Sequence, residues 1–297
     1  MKPSPKQSCS GLFVGLAAVD ISYAVEDIPR PNQKISVPEQ LVTAGGPATN
    51  AAATFAFLGG RATLVTAVGR NLLSRIIRDD LAHHSVRLHN MAGDCDGPPP
   101  VSSIMVLRRT GERSVVSANA AVFSPIKKAF DPKWLAGVSI LEVDGQYMPL
   151  CIAAAKAASE RNIPVVLDSG SWKPGMARLL RFVDTAICSG DFRPPGCRSE
   201  DEAFEYLVSH KMKRVAITRG ERPIRYYDDG ITGEIRIPSP QRRAVDTLGA
   251  GDIAHGAYCY YSAQSQGFRD ALQAAARVAT FSCRYRGTRQ WMKNFHP

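Results

Sequence analysis

The sequence contains no long apolar run and no targeting pattern at its start. No apolar stretch reaches the roughly 18 residues that a membrane-spanning helix needs, although hydrophobic residues make up 44% of the 297 positions. Residues 1–10 are polar and include two prolines, and they lack the charged-then-apolar pattern of a secretory signal. These absences predict a globular protein with a short disordered leader and no membrane partner.

Paired cysteine motifs are also missing. The seven cysteines are scattered, their number is odd, and no two of them form a C-x-x-C pair. This pattern argues against a disulfide framework and against a zinc site. It predicts buried thiols in a reducing, cytoplasmic location.

Dense basic tracts with interleaved aromatic residues are absent, although the formal net charge is +10. Because the Lys and Arg residues are spread along the chain, the sequence predicts no nucleic-acid partner. The positive charge either attracts an anionic substrate, such as a nucleotide or sugar phosphate, or forms a solvated basic surface. The sequence leaves both readings open.

Short apolar runs rich in β-branched residues alternate with longer, Ala-rich amphipathic stretches. The pattern predicts strands at 11–19, 62–68, 138–143, 163–167, 185–188 and 214–218, and helices at 50–58, 73–83, 149–160, 175–182, 199–210, 252–263 and 268–283. Apolar strands joined by helical crossovers form a parallel sheet that is covered on both faces. We therefore expect an α/β fold with three α-β-α layers, Rossmann-like, around a mostly parallel central sheet.

Two regions interrupt this alternation. Residues 21–42 contain three prolines, and residues 101–116 form two extended runs joined by the turn sequence RTGE at 109–112, which is typical of a β-hairpin. Neither region has helical periodicity. We interpret them as a small accessory sheet, inserted at about 20–43 and 100–118 into a single domain that spans 1–297.

The strongest chemical motif is the heptapeptide DTLGAGD at residues 246–252, which leads directly into a helix. Glycines let the backbone approach a ligand closely, and unpaired N–H groups at a helix start form an anion site. A carboxylate beside an anion site suits a general base better than a phosphate ligand. Asp252 is therefore either a base that takes a proton from an attacking hydroxyl, or only the N-cap of the helix.

Two further candidates lie in the N-terminal half. The sequence GGPATN at residues 45–50 opens an Ala-rich helix, which is either a ligand-binding turn or simple turn chemistry. Asp20 is expected at the end of the first strand, at the edge where open α/β sheets bind ligands, unless it is a turn or cap residue. Asp144 follows a later strand in the same way.

These motifs resemble those of a known family. The segment at 246–252 matches fully the signature D-T-x-G-A-G-D of the ribokinase-like (PfkB) carbohydrate kinases, and the segment at 45–50 resembles their N-terminal Gly-Gly signature. The resemblance runs over nearly the whole chain and implies a ribokinase fold with a small β lid over the sugar site. It also implies an ATP-dependent kinase that transfers the γ-phosphoryl group to a hydroxyl of a sugar or sugar derivative.

The resemblance assigns roles to individual residues. Asp252 becomes the catalytic base, and the backbone of Gly249, Ala250 and Gly251 becomes the anion hole. The implied contacts with the substrates are those of Asp20, Gly45, Gly46, Asn50 and Asp144 with the sugar, and those of Thr218, Gly220 and Thr247 with the nucleotide.

The sequence departs from the family pattern in two places. Where relatives carry N-x-x-E, which arranges Mg²⁺ and phosphates, this chain has Ser189 and Phe192, with Asp191 as a possible substitute. We expect ATP and Mg²⁺ to be required, whereas the loop at 283–289 lacks the small, Pro-containing pattern that accompanies activation by a monovalent cation such as K⁺.

A nucleoside kinase of the same family and a catalytically weak ligand-binding protein remain alternatives. Because lids in this family often pair between subunits, a homodimer is expected.

Overall fold

The structure is a computed structural model that describes residues 9–118, 126, 128–210, 212–238 and 243–296. The polar N-terminal leader predicted from the sequence lies almost entirely outside these residues. The strands are β1 Ser10–Val14, β2 Ala18–Val25, β3 Gln40–Gly45, β4 Arg61–Thr66, β5 Arg87–Asn90, β6 Val101–Leu107, β7 Arg113–Ser117, β8 Ile140–Val143, β9 Val165–Ser169, β10 Thr185–Ser189, β11 Arg214–Arg219, β12 Arg222–Asp228 and β13 Ile231–Ile235. The helices are α1 Pro47–Phe57, α2 Leu72–His83, α3 Met148–Ser159, α4 Met176–Leu179, α5 Glu200–Ser209, α6 Ala250–Ala263 and α7 Phe268–Ser282, with single 3₁₀ turns at Pro132–Leu135, Leu180–Phe182 and Gln290–Lys293.

In the part of the chain that the structure describes, the large sheet has nine strands in the order β13-β12-β11-β10-β9-β8-β1-β4-β5. From β11 to β5 every neighbouring pair is parallel, whereas β12 and β13 add an antiparallel edge. Strands β8 and β9 are buried along their whole length, because helices cover both faces of the sheet. The expected three-layer α/β fold is therefore confirmed.

Two apolar clusters hold the layers together, one on each face of the sheet. The first joins Phe13 and Ile187 to buried residues of α1, α2, α6 and α7. The second joins Leu12 and Leu141 to buried residues of α3, α4 and α5. The alternation of odd and even strand positions between these clusters follows from the two-residue period of a strand.

A second sheet of four strands has the order β3-β2-β6-β7. Strands β6 and β7 form the hairpin predicted at 101–116, whereas β2 and β6 pair in parallel. The strand predicted at 11–19 was wrong in one respect, because the chain leaves the large sheet after Val14 and enters the small sheet at Ala18. Asp20 consequently lies inside β2 of the small sheet and not at the end of a strand of the large one.

The remaining expectations concern helices and thiols. Within the described ranges, no helix is both long and apolar enough to cross a membrane. All seven cysteines are free thiols, and Cys9, Cys151, Cys188 and Cys259 are buried.

Candidate active site

The start of α6 has the geometry that the DTLGAGD motif predicts. Gly249 adopts a left-handed conformation with φ of 68° and forms the N-cap, and its carbonyl accepts the N–H of Ile253 at 2.8 Å. The N–H groups of Gly251 and Asp252 have no carbonyl one turn earlier in the helix to bond with. A Cβ added at Gly251 would meet nothing within 4 Å, so this end of the helix is open and suits an anion.

Asp252 lies in the first turn of α6 and is held by a side chain from α1. Nδ2 of Asn50 donates to Oδ2 of Asp252 at 2.7 Å. Burial raises the pKa of Asp252, whereas the hydrogen bond from Asn50 and the positive charges of His255, Arg113 and Arg289 lower it. The carboxyl is therefore a stronger base than an exposed aspartate, and its neighbours still favour the ionised form.

The Asn50 amide is bonded on its other side as well. Its Oδ1 accepts from Nη1 of Arg289 at 2.8 Å, and the Nε and Nη2 of Arg289 donate to Oδ2 of Asp80 at 3.3 and 3.1 Å. Asp80 belongs to α2 and Arg289 to the loop after α7. A continuous series of hydrogen bonds therefore joins four separate segments of the protein and ends on Asp252.

Asp20 faces the same site from the small sheet and is 6% exposed. Burial raises its pKa to about 6, and the negative charge of Asp252 acts in the same direction, against a hydrogen bond from Ser102 and the charge of Arg289. Gly45 lies at the end of the neighbouring strand β3, and a Cβ added there would lie 2.0 Å from Oδ2 of Asp20. A glycine is therefore required at position 45 to leave space for this carboxylate.

The Asp144 carboxylate is occupied by backbone groups. Its Oδ2 accepts the N–H of Leu16 at 2.7 Å and of Ala48 at 3.4 Å, and its Oδ1 accepts the N–H of Gln146 at 2.9 Å. Asp144 thereby anchors the turn between β1 and β2 and the first turn of α1. Gly46, the N-cap of α1, has φ of 100°, a conformation that side chains rarely adopt.

Thr247 connects the helix-start segment to the small sheet. Its hydroxyl and its N–H both donate to the carbonyl of Gly111, at 3.0 and 3.1 Å, and Nη1 of Arg113 donates to its hydroxyl at 3.1 Å. Gly111 lies in the β6–β7 turn. The hairpin is thus docked on residues 246–252, and this docking brings Arg113 close to Asp252.

The predicted nucleotide side lies further along the sheet, at the ends of β10 and β11. The hydroxyl of Thr218 donates to the carbonyl of Cys188 at 3.3 Å, and Gly220 has φ of 66° with open space around it. Phe192 is fully buried and packs against Trp172 with ring centroids 5.8 Å apart. An aromatic core residue thus stands where the family pattern has a glutamate, and the neighbouring Asp191 is exposed.

A buried contact between His255 and Asp168 lies below the first turn of α6. Nδ1 of His255 is 2.7 Å from the carbonyl of Gly251 and Nε2 is 3.0 Å from that of Ile187. Oδ2 of Asp168 lies 3.3 Å from Nδ1, and burial raises the pKa of Asp168 to about 6 against the effect of His255.

The arginines of the loop at 283–289 have intramolecular partners. Arg286 forms an ion pair with Glu39, Arg284 lies 5.1 Å from the centre of the Phe281 ring, and Arg289 is bonded as described above. The loop is joined to the helix-start motif because Oδ2 of Asp246 accepts the N–H of Gly287 at 2.8 Å. Arg286 and Arg289 are thus engaged within the chain, whereas Nε of Arg284 is buried without a hydrogen-bond partner among the described residues.

A protein-held metal centre would need several convergent ligands. Among the described residues, no group of three or more His, Cys, Asp or Glu side chains is arranged to hold a metal ion.

Comparison with known proteins identifies the family. A family model described as "pfkB family carbohydrate kinase" matches residues 11–294. Ribokinase from Arabidopsis thaliana is 23% identical over 289 residues, covering 93% of this chain and 76% of that protein. Ketohexokinase from Mus musculus is 20% identical over 287 residues, covering 93% of this chain and 96% of that protein.

A solved structure supports the fold. The structure of Arabidopsis thaliana ribokinase complexed with ribose and ATP aligns with a TM-score of 0.76 at 21% identity, covering 95% of this chain and 94% of that one. The fold and the helix-start site define a small-molecule kinase with the ribokinase fold. The chain belongs to the pfkB family of carbohydrate kinases, and it is an ATP-dependent phosphotransferase of that family.

Sequence reasoning did not predict the contacts that several residues around Asn50 and Asp252 make. Arg289 and Asp80 lie 209 positions apart, and neither belongs to a recognisable motif. Arg113 lies on β7 of the hairpin. No local pattern marks these residues, because their roles depend on segments that meet only in the folded chain.

Proposed function

We propose that the protein transfers the γ-phosphoryl group of ATP to a hydroxyl of a sugar or sugar derivative, with Asp252 as the general base. The observation that carries the proposal is the position of the Asp252 carboxylate, in the open first turn of α6 and bonded to Asn50 at 2.7 Å. In the transfer, the acceptor oxygen forms a bond to the γ-phosphorus as the bond to the β,γ-bridging oxygen breaks. The hydroxyl proton passes to Asp252, and ADP leaves.

The α6 N-terminus is proposed to stabilise the transferring phosphoryl group. The N–H groups of Gly249, Ala250 and Gly251 are the proposed anion hole, although Ala250 N–H already contacts the carbonyl of Thr247 at 3.3 Å. The helix dipole favours negative charge at this end. The guanidinium of Arg113, placed by its bond to Thr247, adds a positive charge beside the same segment.

The sugar is proposed to bind between the two sheets, against Asp20, Gly45, Gly46 and Asn50. The buried Asp20 carboxylate suits two hydrogen bonds from vicinal hydroxyls, and the glycines let the sugar approach the backbone. Nδ2 of Asn50 has a second N–H, besides the one that bonds Asp252, for a sugar oxygen. Asp144 is left out of this set because three backbone N–H groups occupy it.

The nucleotide is proposed to lie towards the ends of β10 and β11. Gly220, with open space around it, and the backbone near Thr218 line that side, whereas the Thr247 side chain is already bonded to Gly111. Bound Mg²⁺ would neutralise charge on the phosphates. A K⁺ site is not part of the proposal, because the loop at 283–289 lacks the family pattern and its arginines have other partners.

The small sheet is proposed to act as a lid and as a dimer interface. Its edge strand β7 is exposed along its whole length, and Val115 and Val116 on it are 47% and 70% exposed. Exposed apolar edge strands pair readily with a second copy. Closing the site in this way would exclude water and limit ATP hydrolysis.

The test is a coupled ADP-release assay on a panel of sugars, sugar phosphates and nucleosides, run with wild type and with Asp252→Asn. We expect one class of acceptor to be turned over, and we expect the variant to lose roughly 10²–10⁴-fold in kcat. A folded variant with near-native turnover would show that Asp252 is not the base. Turnover of nucleosides alone would favour a nucleoside kinase, and binding without turnover would favour a catalytically weak ligand-binding protein.

A further inference from the structure

Arg289 has no assigned role, and its contacts lead to the proposed base. The guanidinium is 10% exposed and donates to Asp80, to Oδ1 of Asn50, and to Oγ1 of Thr288 at 3.0 Å. Because these bonds use nearly all of its N–H groups, Arg289 has little capacity left to bind a phosphate or a substrate carboxylate. The contacts describe a residue that positions another side chain.

The orientation of the Asn50 amide follows from the chemistry of its two neighbours. Arginine only donates hydrogen bonds, and an ionised carboxylate only accepts them. The amide oxygen must therefore face Arg289 and the amide nitrogen must face Asp252. Turning the amide over would place its oxygen against the carboxylate and its NH₂ against the guanidinium, and both hydrogen bonds would be lost.

We propose that Arg289, anchored by Asp80, is a positioning residue that fixes the Asn50 amide so that Nδ2 holds the Asp252 carboxylate in place for proton transfer. This inference rests on the proposed role of Asp252 as base. The Asp80 carboxylate is held in place, because it lies on α2 and is only 14% exposed. Trp291, two residues after Arg289, is fully buried, and its Nε1 donates to the carbonyl of Thr288 at 2.9 Å.

Asp252 is surrounded by other charges, so an experiment must separate the effect of Arg289 from the effects of these charges. The charged and titratable groups that act on it are Arg113 on β7, Arg289, His255 on α6, and the carboxyl groups of Asp20 on β2, Asp168 on β9 and Glu142 on β8. Burial raises the pKa of Glu142 well above its ordinary value. Removing Arg289 removes one cation and also frees the Asn50 amide to turn. Both changes destabilise the ionised form of Asp252 and so raise its pKa. The acid limb of the kcat profile therefore moves to higher pH.

The test compares Arg289→Met with Arg286→Met, which removes the same charge from the same loop but breaks only the ion pair with Glu39. With an acceptor found by the ADP-release panel, we expect Arg289→Met to lower kcat roughly tenfold to a hundredfold. Its acid limb should move upward, with little change in the KM for ATP. Arg286→Met should leave the acid limb of the profile in place.

A double-variant comparison shows whether Arg289 acts through Asn50. If it does, Arg289→Met should have little further effect on kcat in an Asn50→Leu background. An unchanged acid limb in Arg289→Met would overturn the proposal, as would a rise in the sugar KM alone, which would make Arg289 a substrate contact. If Arg289→Met does not fold, Asp80→Asn provides the same test, and it should shift the acid limb in the same direction by a smaller amount.

The outcome for Asp252→Asn separates this proposal from the proposed function. If Asp252→Asn abolishes turnover and Arg289→Met behaves as wild type, only the positioning role is wrong. If Asp252→Asn retains near-native turnover, Asp252 is not the base, and the positioning of its carboxylate by Arg289 and Asn50 has no catalytic role.

Discussion

Replacing Asp20 by asparagine should stabilise the protein at neutral pH while weakening its binding of substrate. Asp20 is 6% exposed, and its pKa is raised from 3.8 to about 6, mainly by burial. A folded-state pKa above the unfolded value means that the folded protein holds the proton more tightly. The ionised carboxylate therefore opposes folding, and this cost develops as the pH rises from about 4 to about 6.

The magnitude follows from the size of the shift. A rise of about 2 units at ~1.4 kcal/mol per unit corresponds to about 3 kcal/mol of unfolding free energy. Asparagine cannot ionise and avoids this cost, and its Oδ1 can still accept the hydrogen bond from Ser102. We expect Asp20→Asn to raise the unfolding free energy at pH 8 by up to about 3 kcal/mol, and the Tm by roughly 6 °C.

The assay is thermal and urea unfolding of both proteins at pH 8 and pH 4, with Asp27→Asn as a control at an exposed aspartate just beyond the same strand. The gain should shrink towards zero at the lower pH, where both folded proteins are neutral at position 20. A gain that is equal at both pH values, or no gain at pH 8, would refute the reasoning. The same variant should raise the KM for the sugar, because it loses a charged acceptor.

Two further predictions test the helix start and the lid. Gly249→Ala forces a side chain into a left-handed conformation, which costs about 1–2 kcal/mol, and brings Cβ to 2.5 Å from Cγ2 of Thr288; stability and kcat should fall. Gly137→Ala has nearly the same φ of 70° with nothing within 4 Å, so an equal loss of stability in both variants would exclude the collision with Thr288. Val116→Lys should convert the proposed dimer to monomers in sedimentation experiments, whereas Ile231→Lys, at a residue 62% exposed on the edge of the large sheet, should not. A wild type that sediments as a monomer, or a Val116→Lys protein that remains dimeric, would contradict the proposed interface.

Apolar periodicity predicted the buried strands of the large sheet well and its edges poorly. Strand β5 has the sequence RLHN and is largely half-buried, so it contains no apolar run to detect. Strand β12 includes two arginines, a proline and an aspartate, which suits an edge-proximal strand but resembles a loop in the sequence. Both were missed because a strand near the edge of a sheet is held by hydrogen bonds to its neighbour and does not need the apolar run that marks a buried strand.

The boundary between the two sheets was also beyond the sequence. Residues 11–19 are apolar almost without interruption, so they indicate one strand. The chain nevertheless turns at Gly15, where a Cβ would lie 2.1 Å from Cγ of Asp144, and Leu16 bonds to the same carboxylate. The break therefore depends on a residue more than a hundred positions away, and it is what moves Asp20 into the small sheet.

The helix start at 246–252 was determined by the sequence itself, because a left-handed glycine, open N–H groups and a first-turn carboxylate are all encoded within a few neighbouring residues. That segment identified the family and the class of reaction. Only the tertiary structure decided which partners the candidate side chains have. It occupied Asp144 with backbone amides, tied Thr247 to the hairpin, and bonded Asn50 to Arg289, 239 positions away. These partnerships depend on which segments meet when the two sheets and their helices pack, and no local pattern of residues specifies them.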